Sequence, residues 1–232
     1  MTFPGGKGSA GVAETIINQQ PPHQTYVEPF LGSGAIMRRK QPADLSIGID
    51  LDPTLILDAQ RLMPGPYLFH VGDGLKFLRS QALDKHALVY CDPPYPFDAR
   101  QRHRRIYTHE MSIDLHIELL TTLRMLPCMI QLSCYSHPMY AEMLTGWRCL
   151  TYQSMTRGGP ATEYLWMNYP PPRALHDYRF LGDGFRHRER IKRKTARLLA
   201  RLEKLPPLER LALYSAITAA LTNSGERDQI AP

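Results

Sequence analysis

Strand-like runs alternate with helix-like runs through the first 170 residues, and four successive strands carry an acid at or near their end. "TYVEPF" (Thr25–Phe30) holds Glu28, "LSIGID" (Leu45–Asp50) ends at Asp50, "YLFHVGD" (Tyr67–Asp73) ends at Asp73, and "HALVYCD" ends at Asp92. A fifth strand, "CMIQLSCY" (Cys128–Tyr135), follows a helical stretch from Ser112 to Arg124. "GAIMRRK" and "PTLILDAQRLM" read as helices between the earlier strands, the latter with proline at its first position. Such alternation requires a parallel sheet with helices on its faces, an α/β fold. "WRCLTYQSM" and "ATEYLWMNY" flank "TRGGP" and read as a closing hairpin, which makes the sheet mostly parallel with one antiparallel strand.

"PPPR" (Pro170–Arg173) marks a boundary. It divides a catalytic domain, residues 1–172, from a basic helical extension, residues 173–232. Glu189–Leu205 reads as a helix, Pro206 and Pro207 break it, and "LERLALYSAITAALT" is a second, more apolar helix. The formal net charge is +6, and the span Arg186–Arg210 alone carries ten Lys/Arg against three acids. The basic excess therefore sits in the C-terminal segment, and it favours a polyanionic partner.

Ligands of an open α/β sheet bind beyond the carboxyl ends of the strands. This chain places Glu28, Pro29, Phe30, Gly32, Ser33 and Gly34 there after the first strand, then Asp50 and Leu51, Asp73, and Asp92–Tyr95. Each acid alone could cap the following helix; four on one edge form a constellation. Neither glycine motif is a phosphate loop. "GGKGS" (Gly5–Ser9) has glycine after Lys7, and "GSG" is not extended to a third glycine. Asp50 suits ribose hydroxyls and Asp73 an adenine amino group, so the expected ligand is a nucleoside without a polyphosphate, a description S-adenosylmethionine fits.

The remaining composition narrows the class. No apolar run is long enough to span a bilayer and the N-terminus lacks a signal-peptide core, so a cytoplasmic protein is expected. Cys91, Cys128, Cys134 and Cys149 are expected to be reduced and mostly buried, and the nine histidines form no ligand cluster, so no metal is assigned.

In order, "FPGGKG" (Phe3–Gly8), "YVEPFLGSG" (Tyr26–Gly34), "GIDLDP" (Gly48–Pro53), "VGD" (Val71–Asp73), "DPPY" (Asp92–Tyr95), "LSCYS" (Leu132–Ser136) and "EYLWMNY" (Glu163–Tyr169) resemble the motifs of the Dam-like N6-adenine DNA methyltransferases. The resemblance covers nearly all of the first 170 residues. It implies a class I, Rossmann-like, S-adenosylmethionine-dependent methyltransferase sheet followed here by C-terminal helices. It also implies a site-specific, adenine-specific DNA methyltransferase, bacterial or phage-encoded, with its role open between restriction–modification, marking of a mobile element and regulation. Phe3, Gly5, Gly6 and Lys7 would meet the cofactor's methionine end, Asp50 its ribose and Asp73 its adenine. Asp92 and the carbonyl of Pro93 would accept the hydrogens of the target amino group, Pro93 and Pro94 would hold that carbonyl in place, and Tyr95 would stack on a flipped-out base.

One departure stands out. Many such enzymes carry a long target-recognition insert between the third strand and the catalytic motif, whereas Gly74–Cys91 leaves room for one short helix and one strand. Two segments could read the target instead. The first is Pro96–Met111, with Arg100, Arg102, Arg104, Arg105, His103 and Tyr107. The second is the C-terminal run, with Arg188, Arg190, Lys192, Arg193 and Lys194, which could lie along phosphates. The alternative for that run is a helix packed through Leu198, Leu199, Leu202 and Leu205. DNA is the expected partner. RNA adenine methylation, a cytosine-N4 target and a catalytically lost nucleic-acid-binding module remain as alternatives. The oligomeric state is left between monomer and homodimer.

Overall fold

The structure is a computed structural model that describes residues 6–8, 11–100, 107–156 and 159–227. Among them the chain runs α1 (Val12–Ile17), β1 (Thr25–Glu28), α2 (Ala35–Arg39), β2 (Leu45–Asp50), α3 (Pro53–Leu62), β3 (Tyr67–Val71), α4 (Gly74–Ser80) and β4 (Ala87–Cys91). It continues with α5 (Ile113–Met125), β5 (Met129–Cys134), α6 (Pro138–Met143), β6 (Arg148–Thr156), β7 (Gly159–Met167), α7 (Phe185–Leu202) and α8 (Pro207–Arg227).

The strands form one seven-stranded sheet in the order β3-β2-β1-β4-β5-β7-β6. Neighbours β3, β2, β1, β4 and β5 are parallel, and β7 runs antiparallel between β5 and β6. This is the class I methyltransferase sheet. β4 is central and buried along its whole length. Its alternate residues feed two cores: Ala87, Val89 and Cys91 pack with Leu75, Leu78, Leu119 and Leu123, while Leu88 and Tyr90 pack with Ile16, Met37 and Ile56. The reversal of chain order between β1 and β4 opens the crevice where a ligand sits in such sheets.

The short helices α1 and α6 carry no period long enough to read from the sequence. α1 is set by Glu14, which accepts from the Gly11 N–H (3.0 Å) and pairs with Arg39 on α2 (2.6 Å). The first compact unit extends to Leu181, so the division falls after the Pro170–Pro172 run and not at it. The reason lies in residues 173–181, which are strapped to the sheet domain. The His176 N–H donates to the Gln20 carbonyl (2.9 Å), and Asp177 accepts from the Gln41 N–H (2.8 Å). Cys91, Cys128 and Cys134 are buried thiols and Cys149 is an exposed one, all free.

The second unit, residues 182–232, contributes α7 and α8. α7 starts at Phe185, four residues before the expected Glu189. Its leucines are not buried: Leu198 is 49 % and Leu199 53 % exposed. Leu202 and Leu205 are half-buried.

Candidate active site

The parallel strands deliver their carboxyl ends to one edge, and each loop there has a local cause. After β1 the chain turns through Gly32 (φ +52°) and Gly34 (φ +61°), left-handed conformations that favour glycine. Asp50, at the end of β2, accepts from the Gly32 N–H (2.8 Å) and from the Asp52 N–H (3.0 Å), so it braces this turn. Asp52 caps α3. Asp73 caps α4 through Oδ1, accepting from the N–H groups of Leu75 (2.9 Å) and Lys76 (3.2 Å). Capping and ligand binding are thus both open to Asp73, whereas Asp50 caps nothing. A Cβ on Gly74 would lie 1.8 Å from the Pro29 carbonyl oxygen, so only glycine lets the β1 and β3 loops meet.

These loops wall a cleft of about 1070 Å³, partly open to solvent. Pro29, Phe30, Gly32, Asp50, Leu51, Asp73 and Asp92 line it, with Leu55, Leu75, Met111 and Leu115 supplying an apolar wall. A second lobe of about 400 Å³ is lined by Gly6, Lys7, Glu28, Phe30, Gly32, Ser33, Tyr90 and Asp92. The two lobes share Phe30, Gly32, Asp92 and Tyr107. The structure therefore brings together Gly6, Lys7 and most of the strand-end residues, with Asp92 at the junction. Gly34 shapes the turn without lining either lobe. Phe3 and Gly5 lie outside the described residues.

Asp92 belongs to a buried charge cluster. Lys7 Nζ donates to Asp92 Oδ1 (2.8 Å) and to Tyr95 Oη (2.8 Å), and pairs with Glu163 Oε2 (3.1 Å). Tyr95 Oη reaches Asp92 Oδ1 (2.9 Å) and Glu163 Oε2 (2.7 Å). Tyr152 donates to the same Glu163 oxygen (3.0 Å), and its hydroxyl meets Ser133, which meets Tyr90. Burial pushes the Asp92 carboxyl up, against the pull of Lys7, and Glu163 adds to the rise. Burial alone would lower Lys7, but Asp92, Tyr152 and Glu163 hold its ammonium well above the ordinary range. Burial opposes ionisation of Glu163 too, yet Lys7 keeps it below the usual carboxylate range. Glu28, also buried, is pushed up to about 8.

Three expected roles change. Tyr95 is only 2 % exposed, with Tyr135 against it edge-on at 4.5 Å between ring centroids. It presents a hydroxyl to the cluster and no open face to a base. Arg100 is 5 % exposed and donates to the Tyr95 carbonyl (2.9 Å) and to Glu110 (3.0 Å). It fixes the loop after the catalytic motif, so it is not poised for nucleic acid. Tyr107 stacks under Arg100, 5.0 Å from ring centroid to guanidinium, and lines both lobes of the cleft. Arg102, Arg104 and Arg105 lie outside the described residues. Arg190, Lys192, Arg193 and Lys194 on α7 are exposed, and Arg188 is half-buried, donating to the Gly182 carbonyl (3.4 Å).

Pro93 and Pro94 diverge in a way the motif alone does not disclose. His116 Nε2 lies 3.0 Å from the Pro94 carbonyl oxygen, and the Tyr140 hydroxyl lies 3.1 Å from His116 Nδ1. Burial drops His116 to about 4, so the ring is neutral, donating to Pro94 and accepting from Tyr140. No described residue donates to the Pro93 carbonyl. Sequence reasoning missed His116, Tyr152 and Glu163 as site residues; Glu163 opens the quoted "EYLWMNY", but its partners lie far away in sequence. No group of three or more potential metal ligands occurs among the described residues. Nor is any helix among them long and apolar enough to cross a membrane.

No protein-family model and no curated protein sequence matches the chain. Among solved structures it is similar to a precorrin 8W decarboxylase from Methanobacterium thermoautotrophicum (TM-score 0.46, 13 % identity, covering 72 % of this chain and 94 % of that one). It is also similar to TrmK of M. capricolum bound to S-adenosyl-homocysteine (0.49, 7 %, 91 % and 95 %). A third is the magnesium protoporphyrin IX methyltransferase ChlM of Synechocystis PCC 6803, with bound SAM (0.44, 14 %, 67 % and 74 %). All three scores fall below 0.5, so the fold rests on the strand order and each neighbour's activity remains its own.

Proposed function

We propose that the chain is an S-adenosylmethionine-dependent methyltransferase whose target is the N6 amino group of adenine in DNA. The observation that carries this reading is the placement of Asp92, followed by two prolines, at the end of the central strand and at the junction of the two lobes. The donor set fits the cofactor. Asp50 offers a braced carboxylate for hydroxyls, the leucines and Phe30 an apolar wall for a base, and Glu28 an acidic group at the other lobe. No described lining residue forms a phosphate loop.

When bound, the cofactor supplies an electrophilic methyl group on a sulfonium. The chain's own work is to prepare the nitrogen. An adenine amino nitrogen is a weak nucleophile because its lone pair is delocalised into the ring. Asp92 accepts one of its hydrogens and the Pro93 carbonyl, which no described residue occupies, accepts the other. Both bonds draw the nitrogen toward tetrahedral geometry. Once the nitrogen had taken the methyl group, with the carbon–sulfur pair left on the departing thioether, its surplus proton would pass to the Asp92 carboxylate. His116 holds the neighbouring Pro94 carbonyl and so fixes the turn that aims both acceptors. The exposed cations of α7 supply contacts to backbone phosphates.

Purified protein given methyl-labelled S-adenosylmethionine is expected to label adenine-containing DNA. Equal or better labelling of RNA of the same sequence would overturn the DNA assignment, and label on cytosine the adenine one.

A further inference from the structure

Glu163 is a buried carboxylate for which the transfer just described has no use. It sits on β7, two strands from Asp92, yet Lys7 and Tyr95 each touch both acids. Tyr95 has a single hydroxyl hydrogen and two carboxylate oxygens within reach, Asp92 Oδ1 at 2.9 Å and Glu163 Oε2 at 2.7 Å. Its oxygen already accepts from Lys7 at 2.8 Å. Whichever acid takes that hydrogen decides how many donors crowd Asp92.

We infer that Glu163 is a positioning residue for methyl transfer: by taking the Tyr95 hydroxyl hydrogen and a share of the Lys7 ammonium, it relieves Asp92 Oδ1 of donors and keeps the Asp92 carboxylate the stronger base toward the amino hydrogen. The inference rests on the reading that Asp92 receives that hydrogen. Without Glu163, Lys7 and Tyr95 would both donate to Asp92 Oδ1. Oδ2 would stay open to the substrate, but the carboxylate as a whole would become a weaker base, since charge-assisted donors stabilise its ionised form. With Glu163 ionised, a second negative charge shares the Lys7 cation and adds to the rise that burial imposes on the Asp92 carboxyl. Tyr152 donates to the same Glu163 oxygen and helps keep it charged. The other described titratable groups with an electrostatic effect on the Asp92–Lys7 pair, or subject to one from it, include Glu28 on β1, Tyr90 and Cys91 on β4, Tyr107 after the catalytic loop, Cys134 on β5, Tyr135 after β5 and Tyr140 on α6. None of these is hydrogen-bonded to both acids.

The test uses the full chain with carboxyl-labelled aspartate. The Asp92 titration is followed by carbon NMR, alongside the pH profile of kcat. In Glu163→Gln the Asp92 midpoint and the acid limb of kcat are expected to move down by about one pH unit, with kcat reduced about tenfold. Glu163→Asp keeps the charge but shortens the reach to Tyr95. It should move the acid limb less than Glu163→Gln does while still lowering kcat. An unmoved midpoint in Glu163→Gln, or a wild-type kcat in Glu163→Asp, overturns the inference. Because the NMR titration needs no substrate, failure of the wild-type chain to methylate adenine would count against the proposed function and leave this measurement able to judge Glu163.

Discussion

Two groups of cations in this chain have opposite surroundings. Lys7 is 4 % exposed and meets two carboxylates and a tyrosine within 3.1 Å. Arg190, Lys192, Arg193 and Lys194 stand exposed on α7, a helix with no residue fully buried. A buried charge is tolerable only when partnered, so every atom of the Lys7 cluster is constrained and each member fixes its neighbours' protonation. An exposed charge is held by water, so its neighbours hardly notice its loss, and it acts only on a partner that brings its own charge. The lesson is one of range: the first group can tune a single proton, the second only a salt-dependent affinity.

The largest expected effect lies at the buried pole. Asp92→Ala should lower methyl transfer by about 10²–10⁴-fold while cofactor binding changes little, checked by turnover and by calorimetric titration. Turnover near the wild-type level would break the assignment of Asp92. Next comes Lys7→Met, which leaves two carboxylates facing one another without their cation. A stability loss of about 3 kcal/mol is expected in denaturant titrations at neutral pH.

The neutral His116 gives a smaller, pH-dependent effect. Its midpoint falls from 6.5 to about 4 on folding, so between these values the unfolded chain takes up the proton first. Stability present above pH 6.5 is therefore lost as the pH drops toward 4. His116→Gln should flatten the fall of the melting temperature across that window, leaving the shares due to His23 and His176, which burial lowers too. Smallest for the fold is the exposed pole. Replacing Arg190, Lys192, Arg193 and Lys194 by glutamine should leave the melting temperature unchanged. The slope of log affinity for DNA against log salt should shrink by roughly 0.9 per phosphate contact removed. An unchanged slope would remove α7 from the nucleic-acid surface.

The sheet was legible because strand, helix and acid recur with a regular rhythm. β2 matches its expected span, and β7 supplies the single antiparallel strand the Gly-Gly-Pro turn implied. The cleft was legible because its residues sit at strand ends, which topology sends to one edge. What stayed hidden was pairing across distance. Nothing near Glu163 marks it as a neighbour of Lys7, 156 positions earlier, and nothing in "DPPY" shows that Tyr95 points its hydroxyl inward. Arg100 misled for a related reason: a run of arginines reads as surface, and only Glu110 and the Tyr95 carbonyl reveal that one of them is interior.

The contact between Gly74 and Pro29 links parts of the cleft in another sense. The loop after β1 and the start of α4 touch backbone to backbone, with no side chain to act as a cushion. Displacement of either must be transmitted to the other. A ligand gripping Asp73 would therefore also quieten the turn around Gly32, and amide exchange in both loops should slow together on ligand addition, as though they were one mechanical part.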